Sequence, residues 1–69
     1  MTKEIYIGIV RFTLESMMEL SKTEREYDLM FDTIHYYNHI IVPEQIITKD
    51  EFLSLCIEVG ISDIKVVLD

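Results

Sequence analysis

The two histidines have the spacing most typical of a metal site in this chain. His35 and His39 are four positions apart, so a helix would place both imidazoles on one face, with Asp32 one turn earlier. A metalloprotease motif needs Glu directly after its first histidine, and Tyr36 stands there. Because no fourth ligand is evident, we expect solvated or hydrogen-bonded histidines, with no metal and no cofactor.

Nucleophilic catalysis has little support in the sequence. Cys56, the only cysteine, follows Leu55 and precedes Ile57 on a predicted helix, where burial would raise the pKa of its thiol. No serine lies in a nucleophile elbow, and no glycine-rich phosphate loop is present. A chain of 69 residues also has little room for a substrate cleft of about 300–1,000 Å³. We therefore expect a protein that is not an enzyme.

Carboxylates are the most abundant groups that could mediate binding. Thirteen Asp and Glu against six Lys and Arg give a net charge of −7, and no basic stripe can be drawn, which argues against direct binding of nucleic acid. On one helix, Glu24, Asp28 and Asp32 would form a column of carboxylates about 6 Å apart. DNA phosphates also form a row, with about 3.4 Å between nucleotides of a strand. The column is therefore either a solvated face or an imitation of DNA, and the further acids of such a surface would be Glu15, Glu19, Glu44, Asp50, Glu51 and Glu58.

Three helices and one strand are predicted to position these groups within a single domain, residues 1–69. A polar stripe predicts a helix over about residues 3–20, although alternating isoleucines leave a strand over residues 4–10 as the alternative. Ser21 followed by Glu24 has capping-box spacing and predicts a helix over about 22–41, ended by Pro43. Thr48 and Glu51 repeat this spacing for a helix over about 49–59, with Gly60 after its end.

The end of the chain reads as a short strand over about residues 63–68, because it is rich in β-branched residues. The fold class expected is therefore a small, α-dominated α+β domain. A strand needs a partner, and bulky apolar residues exceed what so small a core can hide. We expect a homodimer. Its apolar contacts, or those of another partner, would involve Leu29, Tyr36 and Ile40, which lie opposite the predicted core stripe of the second helix.

Two resemblances bear on function. Phe52, Cys56, Gly60, Ile61 and Val66 resemble the spacing of a helix-turn-helix unit, but the short segment after them carries one Lys against two Asp and lacks base-reading side chains. In its length, high isoleucine content and acidity, the whole chain resembles small early proteins of bacteriophages that disable host factors. Several of those proteins are dimeric DNA mimics.

The expected function is therefore that of a small acidic inhibitor. It would occupy the basic surface of a DNA-handling host protein, such as a nucleoid protein, a polymerase, a sliding clamp or a nuclease. The alternative is an apolar adaptor or inhibitor that binds by helix packing, with acids that serve only solubility. A single cysteine and the lack of an apolar membrane-spanning run lead us to expect a cytoplasmic protein with no membrane contact.

Overall fold

The computed structural model describes residues 1–68 and contains helices but no strand in that range. The α+β class predicted from the sequence is therefore wrong, and the described chain is all-α. A π-helical turn, Tyr37–Ile41, joins the second helix to the third. The α-helices are α1 (Lys3–Thr23), α2 (Leu29–Tyr36), α3 (Val42–Glu44), α4 (Lys49–Val59) and α5 (Ile64–Leu68).

The first helix, α1, confirms the helix predicted over residues 3–20 and excludes the strand over 4–10. It begins at Thr2, whose hydroxyl accepts a hydrogen bond from the Ile5 amide at 3.2 Å. Its buried residues Tyr6, Val10 and Leu14 recur every four positions, which is the period of a helix. A strand would place Gly8 and Phe12 on the same face as these three residues, but both are exposed.

The second predicted helix, 22–41, is wrong at its beginning. The Ser21 hydroxyl does not cap a new helix; it donates to the Met18 carbonyl at 2.6 Å, and α1 continues to Thr23. After a non-helical connection, Asp28 provides the cap of α2, since its carboxylate accepts from the Phe31 amide at 3.0 Å. Because residues 24–28 are not helical, they reverse the chain and let α2 pack against α1.

Pro43 does not stop the helix as predicted. Val42, directly before it, keeps helical angles (φ −62°, ψ −50°), and its amide donates to the carbonyl of Tyr37, five residues earlier. In a regular α-helix the ring of Pro43 would clash with the carbonyl four residues before it. The wider π-type turn that precedes Pro43 avoids this clash. The chain leaves the helix at Gln45, whose φ of 54° is left-handed.

The fourth helix, α4, confirms the prediction over residues 49–59. The Thr48 hydroxyl accepts from the Glu51 amide at 3.1 Å, and the Glu51 carboxylate accepts from the Thr48 amide at 2.9 Å. Gly60 ends the helix with a φ of 101°, a left-handed conformation that favours glycine. These local signals were enough to predict the helix with its correct limits.

The predicted C-terminal strand, 63–68, is instead the helical turn α5. Ile64 is fully buried and Leu68, four positions later, packs against the core, whereas Val66 and Val67 are exposed. A spacing of four places both apolar contacts on one helical face, against α2 and α4. Nothing within residues 1–68 is extended enough to pair with a strand, so the tertiary packing overrides the β-propensity of these residues.

The core lies where α1, α2 and α4 meet. Phe52 of α4 is completely buried, and the rings of Tyr36 and Tyr37 lie 6.2 and 5.2 Å from its ring. Thr33 is also fully buried, and its hydroxyl donates to the Leu29 carbonyl at 2.7 Å, so this polar group is satisfied within its own helix. The packing uses one face of α1 and leaves its other face towards solvent.

Candidate protein-binding surface

Four large apolar side chains lie exposed along α1. Ile5, Ile9, Phe12 and Leu20 follow each other at helical spacing, and at 100° per residue they fall within about 80° of one another. Phe12 is the most exposed of them, at 72%. We call these four residues the apolar α1 face. It points about 120° away from the buried stripe of the same helix, and α1, at about 32 Å, runs nearly the length of the molecule.

Part of this face is recessed. Phe12 and Leu20 line an open groove of about 400 Å³ together with the short side chain of Ser16. Glu15 and Glu19 line the same groove and give it an acidic rim. The surface therefore has an apolar floor and a charged edge, as is usual for surfaces that receive another protein.

The sequence-based reasoning missed the apolar α1 face. The polar stripe predicts this helix, but its apolar residues were not divided into a core face and an exposed face. A finer division would have shown two apolar stripes, Tyr6–Val10–Leu14 and Ile5–Ile9–Phe12, on a helix that cannot bury both against two small neighbours. Single exposed apolar residues are common, whereas an aligned set marks an interaction surface.

The predicted carboxylate column does not form. Glu24 ends α1 and Asp28 begins α2, so the two are separated by a non-helical connection. The Asp28 carboxylate is occupied by its capping bond to the Phe31 amide. Asp32 is half-buried beside Tyr27; burial and a hydrogen bond to Asp32 raise the pKa of that tyrosine to about 12. Two of the three carboxylates thus have structural partners.

The other predicted acids are dispersed over the molecule. Glu51 lies 2.6 Å from the Lys3 ammonium, and Lys3 and the Thr48 amide hold the pKa of Glu51 below its usual range. Glu58 lies 3.4 Å from Arg11. Glu15, Glu19 and Glu58 share a cleft between α1 and α4 with two cations, Arg11 and Lys22. The remaining two, Glu44 and Asp50, are exposed at other helix ends.

The apolar residues predicted to form a dimer surface are only partly available. Leu29 and Tyr36 are half-buried and pack against the core, and burial raises the pKa of the Tyr36 hydroxyl. Ile40 is exposed at 40%, in the π-helical turn. The structure therefore does not bring these three side chains together as one exposed surface.

The candidate catalytic and metal-binding groups do not assemble into a site. The rings of His35 and His39 stack with centroids 4.1 Å apart on the surface of α2 and the π-helical turn. Within residues 1–68, no group of three or more potential ligands could hold a metal ion. Cys56 is buried, and burial raises the pKa of its thiol to about 12. None of the helices described for residues 1–68 is long and apolar enough to cross a membrane.

Comparison with known proteins does not indicate a function, so we infer one from the geometry of the described residues. A scan against protein-family models, a search of curated proteins and a search of solved structures each found no match.

Proposed function

We propose that this protein acts by binding another polypeptide chain, with the apolar α1 face packed against an apolar helix of that chain. The observation that carries the proposal is the alignment of Ile5, Ile9, Phe12 and Leu20 on the solvent side of a 21-residue helix. Burying a fully exposed side chain of this kind is favourable by about 1.5–3 kcal/mol, and each of these four gains less because it is only 42–72% exposed. Under this proposal the acids around the face keep the unbound protein soluble.

DNA mimicry, the function first expected from the sequence, has less geometric support. It depends on a continuous row of carboxylates, and Glu24, Asp28 and Asp32 do not form one. Their neighbours Glu15 and Glu19 lie beside cations. We therefore favour helix packing as the mode of binding. We also propose a cytoplasmic location, because a chain with a single cysteine needs no oxidising compartment for an intramolecular disulfide.

Capture from a cell lysate by matched variants tests this proposal. Phe12→Glu puts a charge into the apolar α1 face, and Phe31→Glu makes the same change at an exposed phenylalanine of α2. Glu24→Lys combined with Glu26→Lys reverses two exposed charges in the connection between α1 and α2. Circular dichroism checks that each variant is folded.

When untagged wild-type protein is added to the lysate, helix packing predicts that Phe12→Glu abolishes capture, whether the captured chain is a second copy or another protein, whereas Phe31→Glu and the double lysine variant retain it. Capture should also persist at about 0.5 M salt, where electrostatic attraction is screened within a few Å. If the double lysine variant or high salt removes the captured protein while Phe12→Glu retains it, the proposal is wrong and electrostatic mimicry is favoured.

A further inference from the structure

We infer that the chain that covers the apolar α1 face is a second copy of this protein, with the two α1 helices packed antiparallel. The inference rests on the proposed function, because it names the occupant of that same face. It also moves the dimer contact expected from the sequence away from Leu29, Tyr36 and Ile40. Shape, area and the helix dipoles each support this arrangement.

The two halves of the apolar α1 face differ in shape. The first half carries the branched side chains of Ile5 and Ile9, which stand exposed. The second half is recessed at Ser16, in the groove between Phe12 and Leu20. When two copies of α1 run in opposite directions and cross near Phe12, Ile9 of each lies opposite Ser16 of the other. A protruding residue then meets a recess on both sides of the two-fold axis.

The helix dipoles favour the antiparallel direction, because the two dipoles then run in opposite directions. Glu15 and Glu19 lie along one edge of the second half of α1, where both side chains are exposed. They would therefore stay at the solvated rim of the pair.

The area is sufficient for a small but specific interface. At its exposure of 72%, Phe12 offers about 140 Å² if a whole aromatic side chain offers about 200 Å². The three aliphatic residues are each about half exposed and add roughly 50 Å² apiece. Two copies would bury about 600 Å² of apolar surface, which corresponds to about 1,000 Å² in all when an interface is about 60% apolar. Specific interfaces begin at about that size.

Sedimentation of the purified protein tests the dimer directly. We expect the wild type to pass from monomer to dimer between about 1 µM and about 300 µM. Phe12→Glu should raise the dissociation constant by at least about 100-fold, because it charges the centre of the face in both copies. Phe31→Glu is the matched control and should leave the constant unchanged. A wild type that stays monomeric throughout, or a dimer that Phe31→Glu disrupts and Phe12→Glu does not, overturns the inference.

Disulfide cross-linking tests the direction of the helices. Ile9→Cys mixed with Ser16→Cys should give a cross-linked heterodimer, since these positions face each other in the antiparallel pair. Ser16→Cys alone should cross-link poorly, and efficient cross-linking of that variant with itself would overturn the antiparallel arrangement. The native Cys56 does not interfere, because it is buried and burial raises the pKa of its thiol to about 12.

The two proposals can fail separately. If the wild type is monomeric but Phe12→Glu still abolishes lysate capture, the apolar α1 face binds a different protein, and only the self-association inference fails. If the wild type is monomeric and Phe12→Glu changes nothing in either experiment, the proposed function fails as well.

Discussion

The two glycines of this chain should respond in opposite directions to the same substitution. Gly8 lies within α1, and a Cβ added there would meet no atom within 4 Å. Gly8→Ala should therefore stabilise the protein by about 0.5–1 kcal/mol, because alanine loses less backbone freedom on entering a helix.

Gly60 ends α4 in the left-handed region, at a φ of 101°. A Cβ there would lie 3.4 Å from the Met18 Cε atom, which is an ordinary contact with the flexible end of a side chain. The cost of Gly60→Ala is therefore conformational, and we expect a loss of about 1–2 kcal/mol. The gap between the two variants is about 2 kcal/mol, or about 8–16 °C in Tm for a domain of this size.

Urea unfolding followed by circular dichroism measures this gap. All variants should be made in the Phe12→Glu background, so that loss of stability is not confused with loss of self-association. A destabilising Gly8→Ala would refute the reasoning, because it requires either a strand at this position or a close backbone contact. An unchanged stability for Gly60→Ala would show that the turn after α4 is not left-handed.

Three further predictions concern α4. Thr48→Ala removes the capping acceptor and should cost about 1 kcal/mol of unfolding free energy in urea. Lys3 is the main group that lowers the pKa of Glu51 in the folded state, so the ionised carboxylate stabilises the fold above the ordinary glutamate pKa of 4.5, and this stability is lost as the pH falls below that value. Glu51→Gln should therefore flatten the pH dependence of the unfolding free energy in this range. An unchanged pH dependence would contradict the role of Lys3. Cys56 should react with a thiol reagent only after denaturant is added, whereas rapid reaction of the native protein would show that the thiol is not buried.

Local signals in the sequence were sufficient for the limits of α4 and favoured a helix over most of α1. The Thr48–Glu51 capping box and Gly60 act through hydrogen bonds and backbone angles within a turn or two of the chain. Such interactions form wherever the segment lies in the fold, so α4 was predicted with its observed limits. The periodicity of α1 is also a local property, because its buried residues recur every four positions.

A local signal misled at the beginning of the second helix. The spacing of Ser21 and Glu24 predicts a capping box there. In the structure the Ser21 hydroxyl bonds back to Met18, and only Asp28 caps. The residue that caps α2 depends on where the chain must turn for α2 to pack against α1, and tertiary packing sets that position.

The apolar α1 face depends on both composition and packing. Composition alone established an acidic chain with more apolar residues than a small core can hide, and therefore a binding protein was expected. Which apolar residues remain outside was decided by the packing of α1, α2 and α4, which covers Leu29 and Tyr36 and leaves Phe12 exposed. Burial of a side chain depends on neighbours that are distant in sequence. The sequence of one helix with two apolar stripes therefore does not reveal which stripe will pack against the other helices.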